Sequence, residues 1–110
     1  MPFYLYQCSY SREAIKAMIA KPQDRREVAD KLIQSVGGKL HQFFLAFGSN
    51  DVVAIFEAPD DKAMAAVSML VAGAGTVAHG ATTKLITMEE AMEAFATAGK
   101  ASAGYKPPMG

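Results

Sequence analysis

The chain has 110 residues, of which 51% are hydrophobic and 20% charged, enough for one domain with its own core and too apolar for a disordered chain. Eleven Lys and Arg balance eleven Asp and Glu, so the basic excess that nucleic acids and acidic membranes attract is missing and neither is an expected partner. Cys8 is the single cysteine; it excludes an internal disulfide and points to a reducing compartment, so a cytoplasmic location is expected.

The opening Met1-Pro2-Phe3-Tyr4 shows no basic, apolar leader. The longest apolar run, Ala63 to Ala78, is interrupted by Ser68, Gly73, Gly75 and Thr76, too early for a membrane span. Aromatic residues mark residues 3–9 as a first strand. Ser11 caps a short helix with Ala14, Ile15, Met18 and Ile19 as its stripe, and Pro22 interrupts it. A second helix starts near Asp24, with Val28, Ala29, Leu32, Ile33 and Val36 at helical spacing and Arg26–Asp30 and Glu27–Lys31 as surface pairs. Gly37-Gly38 ends it.

Residues 39–47 and 51–58 read as a second and third strand joined by a tight turn at Gly48-Ser49-Asn50. Both are apolar almost throughout, which predicts cover on both faces. Asp60 caps the next helix, Lys62 to Ala72, which Gly73 and Gly75 end. Residues 76–86 read as a fourth strand. Thr87-Met88-Glu89-Glu90 is a capping box opening a last helix with Met88, Ala91, Met92 and Phe95 as its buried stripe. Residues 1–98 then form the domain, and residues 99–110 a tail in which Tyr105, Pro107, Pro108 and Met109 are the apolar anchors. An extended arm is expected there, with Tyr105 against its own sheet edge or a neighbouring subunit.

The order β-α-β-β-α-β plus a closing helix predicts an α+β, ferredoxin-like domain: a four-stranded antiparallel sheet with helices on one face. Four such apolar strands leave an open sheet face, and a homodimer or higher homo-oligomer, sheet against sheet, is the expected cover.

Gly37-Gly38-Lys39, the aromatic strand running up to Gly48-Ser49-Asn50-Asp51, and Val52-Val53-Ala54-Ile55-Phe56-Glu57-Ala58-Pro59-Asp60-Asp61 resemble the GYD domain family, as do the opening residues and the strand near Thr82–Leu85. The likeness covers about residues 1 to 97. It implies the dimeric α/β-barrel assembly, in which two ferredoxin-like sheets close a barrel. Of the naming motif Gly-x-Tyr-Asp the chain keeps Gly48 and Asp51, with Asn50 where tyrosine is usual.

The residues able to carry chemistry are few. Asp51 either accepts backbone N–H groups across the hairpin, with Asn50 at positive φ, or serves as a general base. His41, read as alternating in register with Lys39 and Phe43, and His79, beside the permissive Gly80, are acid–base candidates; a lone strand histidine is more commonly a hydrogen-bonded or interface residue. No His-x-His, Glu-x-x-His or Cys-x-x-Cys spacing points to a metal, and no cofactor is expected. Cys8 reads as packing. Tyr4 and Tyr6 share a strand face and read as a dimer seam before a pocket. Met64, Met69, Met88 and Met92 read as core filling.

Two functional readings follow. The first is a homo-oligomeric ligand-binding or accessory protein with a small hydrophobic molecule as partner. The alternative is a small α/β-barrel enzyme (a cofactor-independent oxygenase, an isomerase or a haem-degrading monooxygenase) using His41, Asp51 or His79. Either way the pocket is expected against the sheet, lined by some of Tyr6, His41, Phe43, Asp51, Ile55 and His79, with Asn50 a further ligand-binding candidate.

Overall fold

The computed structural model describes residues 1–109, so the last residue of the expected tail, Gly110, lies outside the described residues. The elements are β1 (Phe3–Tyr10), α1 (Arg12–Ala20), α2 (Arg25–Ser35), β2 (Lys39–Leu45), β3 (Val52–Glu57), α3 (Asp61–Gly73), β4 (Val77–Leu85) and α4 (Met88–Ala101), followed by a 3₁₀ turn, Ser102–Gly104. The strands form one antiparallel sheet in the order β2-β3-β1-β4, the α+β ferredoxin-like arrangement. No described helix is long and apolar enough to cross a membrane.

Side-chain caps set the helix starts. Ser11 accepts the Ala14 N–H, Asp24 that of Arg26 and Asp60 that of Ala63, while Thr87 and Glu90 exchange bonds in a full capping box. Each cap satisfies a donor that the helix leaves open and contributes about 1 kcal/mol. The α2 end follows from Gly37, whose φ of 83° an L side chain adopts only with strain, and the Gly38 N–H returns to the Ile33 carbonyl. Of the two expected surface pairs on α2, Glu27–Lys31 closes to 3.9 Å; among the described residues Arg26 and Asp30 form no ion pair.

The core lies on the helix side of the sheet. Tyr4, Cys8 and Tyr10 of β1 and Val52, Ala54 and Phe56 of β3 are buried there, with Ile33 of α2 and Met64 and Val67 of α3 above them. β3 alternates strictly, its odd residues Val53, Ile55 and Glu57 only half-buried. Within the single chain, helices therefore cover one face of the strands. Val53 and Ile55, with Phe3 and Leu5 in register on β1, share the other face.

Other expectations need correction. β2 ends at Leu45 and β3 starts at Val52, so the tight turn widens to a connection closed by Ala46 N–H bonding the Asp51 carbonyl at 2.8 Å. The stripe of α4 is not buried: Met88, Met92 and Phe95 are 68%, 61% and 66% exposed, and α4 buries no residue. Met69 is likewise exposed, leaving Met64 as the one core methionine of the four. Tyr105 is 69% exposed rather than packed on its own sheet edge. The chain measures 60 × 33 × 22 Å with a radius of gyration of 17.9 Å, against about 13 Å for a compact chain of this length.

Candidate functional site

Alternation on β1 sends Tyr4, Tyr6, Cys8 and Tyr10 to the helix side, so the Tyr4–Tyr6 face is not an open-face seam. Between that row and the helices lies a cavity of about 100 Å³. Tyr6, Cys8, Val52, Ala54 and Phe43 line it from the sheet, Val28, Leu32 and Ile33 from α2, and Val67, Ser68 and Val71 from α3. The wall is almost wholly hydrocarbon, and Tyr6, Cys8, Tyr10, Arg25, Ser68 and Thr76 are the lining residues that carry polar groups.

Tyr6 and Cys8 are held neutral. Burial, then the neighbouring Cys8, pushes the Tyr6 phenol up to about 12, and burial raises the Cys8 thiol. A thiol so placed is a packing group and not a nucleophile. Tyr10 is raised too, first by burial and then by Cys8, with the Arg25 guanidinium pulling the other way. Gly80 does not leave space for a ligand: a Cβ there would stand 2.9 Å from the Tyr6 hydroxyl, which already occupies that space.

Among the sequence-derived candidates, the cavity takes in Tyr6 and Phe43 and leaves out His41, Asn50, Asp51, Ile55 and His79. Asp51 is structural. Its Oδ2 accepts the Tyr10 N–H at 2.9 Å while its own N–H bonds the Cys8 carbonyl at 2.8 Å, tying the β2–β3 connection to the end of β1. Asn50 does not take positive φ; no described residue other than glycine does. Ile55 belongs to the open sheet face, and His79 is exposed on edge strand β4.

His41 departs from its expected register. The β2–β3 pairing shifts between Leu40 and Gln42, so His41 is an extra residue in a β-bulge. The bulge turns it away from the face that Phe43 takes. Its Nε2 lies 2.7 Å from Glu57 Oε2 and its ring stacks on Phe3 with centroids 5.4 Å apart. Glu57 was missed as a partner because the Lys39–Glu57 register, which puts His41 and Glu57 on one face, depends on strand pairing that no single segment of the sequence discloses.

A third polar group joins α3 to β4. The buried Tyr4 hydroxyl donates to Asp61 Oδ1 at 2.5 Å, and Lys84 Nζ stands 3.1 Å from the same carboxylate oxygen. Burial and the Asp61 carboxylate push the Tyr4 phenol up to about 12, while the bonds from Tyr4 and Lys84 hold Asp61 below the usual carboxylate range. Among the described residues no cluster of three His, Cys, Asp or Glu could hold a metal ion.

No curated protein gives a significant match to the chain. The family described as GYD domain matches residues 4–95, which takes in all four strands, α1 to α3 and the first half of α4. With that span and the β2-β3-β1-β4 sheet, the chain belongs to the GYD domain family.

Proposed function

We propose that this chain is a homo-oligomeric binding protein that holds a compact apolar molecule between its sheet and its helices. The observation that carries this reading is the cavity of about 100 Å³ with its largely hydrocarbon wall, in which Tyr6 and Cys8 stay neutral. A cavity of about 150 Å³ lined by aliphatic groups stays dry and takes up benzene, so this smaller one suits at most a single small ring or a short branched chain, with the Tyr6 hydroxyl among its hydrogen-bond partners. The homo-oligomer is supported by the open sheet face, where Phe3, Leu5, Val53 and Ile55 are only half-buried within the chain. At roughly 25 cal/mol per Å², wetting several hundred Å² there costs several kcal/mol, which a second copy removes.

Methyl NMR tests the ligand reading. Titration with phenol shifts the methyl signals of Ile33, Val52 and Val67, and Ala29→Leu, which fills the cavity that Ala29 lines from α2, abolishes the shifts. Methyl signals that stay fixed, or that move equally in the filled variant, overturn it. Sedimentation of Leu5→Glu tests the cover separately, with a loss of self-association expected.

The His41–Glu57 pair favours a second reading, a small enzyme, because a carboxylate on one imidazole nitrogen orients the other for proton transfer. The pair lies outside the cavity, so the binding reading stands first.

A further inference from the structure

The stripe Met88, Met92 and Phe95 repeats every three to four residues along α4, yet the helix buries nothing. A helix of 14 residues is marginal on its own in water, and an apolar stripe of this kind is normally what holds it. Only Ile86 and Thr87 join it to β4, and the reciprocal Thr87–Glu90 bonds fix the direction in which it leaves. The stripe therefore does not fold back onto its own sheet.

At the opposite edge of the sheet the same chain carries a matching seat. A groove of about 420 Å³ runs between the α1–α2 connection and edge strand β2, floored by Tyr10, Met18, Phe43 and Leu45, with Arg25 and Arg26 also lining it against one carboxylate, Asp24, so the cations are in excess. The charges are complementary. Residues 1–50 hold seven Lys and Arg against four Asp and Glu, and residues 51–110 hold four against seven. On α4 itself Glu89, Glu90 and Glu93 face one cation, Lys100. Glu89 and Glu93, four residues apart, flank the stripe on one side.

We propose that α4 of one copy seats in the β2-edge groove of a second copy, with Met92 and Phe95 on the apolar floor and Glu89 and Glu93 toward Arg25 and Arg26. The occupant is another copy of this chain because stripe and groove lie at opposite edges of one molecule and are opposite in charge. Two copies related by a two-fold axis fill both seats at once. This contact goes beyond the sheet-to-sheet cover, and it borders the ligand cavity, with which the groove shares Tyr10, Arg25 and Phe43.

Charge exchange tests it in sedimentation at low salt. Arg25→Glu with Arg26→Glu, and separately Glu89→Arg with Glu93→Arg, each weaken self-association by at least about tenfold, and the four substitutions together restore it. Phe95→Ser weakens association equally while the far-ultraviolet circular dichroism keeps its sheet and helix signal from residues 1–85. A parent chain that sediments as a monomer, exchange variants that associate like the parent, or a fourfold variant as weak as the doubles each overturns the proposal. Loss of association in Leu5→Glu alone, with the α4 and groove variants unchanged, overturns it as well and leaves the sheet-to-sheet cover standing.

Discussion

Gly80 of β4 stands opposite Cys8, and its missing side chain makes room for the Tyr6 hydroxyl. In Gly80→Ala the new Cβ meets that oxygen at 2.9 Å and the phenol Cζ at 3.4 Å. The second distance is an ordinary contact; the first is too short by about half an ångström. The ring has to tip into the cavity or β4 has to draw back, and overpacking of this kind costs about 1–3 kcal/mol, here near the lower end because only the tip of one ring is in the way. Tyr6→Phe deletes the oxygen, so in that background the alanine costs almost nothing. Thermal unfolding of the four proteins of the cycle reads the difference: Gly80→Ala lowers Tm by about 4–8 °C in the parent and by less than about 2 °C beside Tyr6→Phe. An equal loss in both backgrounds would refute the steric account of Gly80.

At Gly38 the obstacle is backbone: a Cβ there overlaps the Glu57 carbonyl oxygen and lies 2.8 Å from Ile33 Cγ2, so Gly38→Ala costs upward of about 3 kcal/mol in urea unfolding. Asp51→Ala strands the Tyr10 N–H and costs about 1–3 kcal/mol, whereas Asp51→Asn keeps an acceptor and costs less than half as much, as chemical denaturation measures. Tyr4 and Tyr6 both titrate near 12 in the fold and near 10 in the unfolded chain. The unfolded chain therefore releases protons first, stability is full below about pH 10 and falls between pH 10 and 12, and Tm against pH flattens in Tyr4→Phe and Tyr6→Phe. Glu57→Gln lowers stability by less than about 1 kcal/mol, because its bond to His41 is partly solvated, and it shifts the His41 ring signals in NMR.

What the sequence discloses follows from how local the cause is. Ser11, Asp60 and the Thr87–Glu90 box act within one helical turn, so each helix start could be read from a few adjacent letters. The strand alternation of Tyr4 and Tyr6 is equally legible; the side on which the helices fall is not, because that is settled by distant partners on α2 and α3. The bulge at His41 has no letter of its own. It arises from the pairing of β2 with β3, and one extra residue reverses the face of everything that strict alternation assigns across it. Periodicity on α4 correctly marks an apolar stripe, but it cannot tell a helix packed on its own core from one that buries nothing.

The strand order also dictates a timetable of assembly. β1 is made first and occupies the middle of the sheet, where Phe3 pairs with Glu57 on one side and Leu85 on the other. Its partners thus arrive tens of residues later, whereas β2 and β3 close on each other across a short connection. Loop closure favours the β2–β3 hairpin as the earliest paired unit, with β1 added next and β4 last. The burial pattern runs in the same direction, since β4 is exposed along its whole length except at its ends. Amide exchange should release β4 first and keep β1 and β3 to the end, so the strand that waits longest for a partner becomes the one most firmly held.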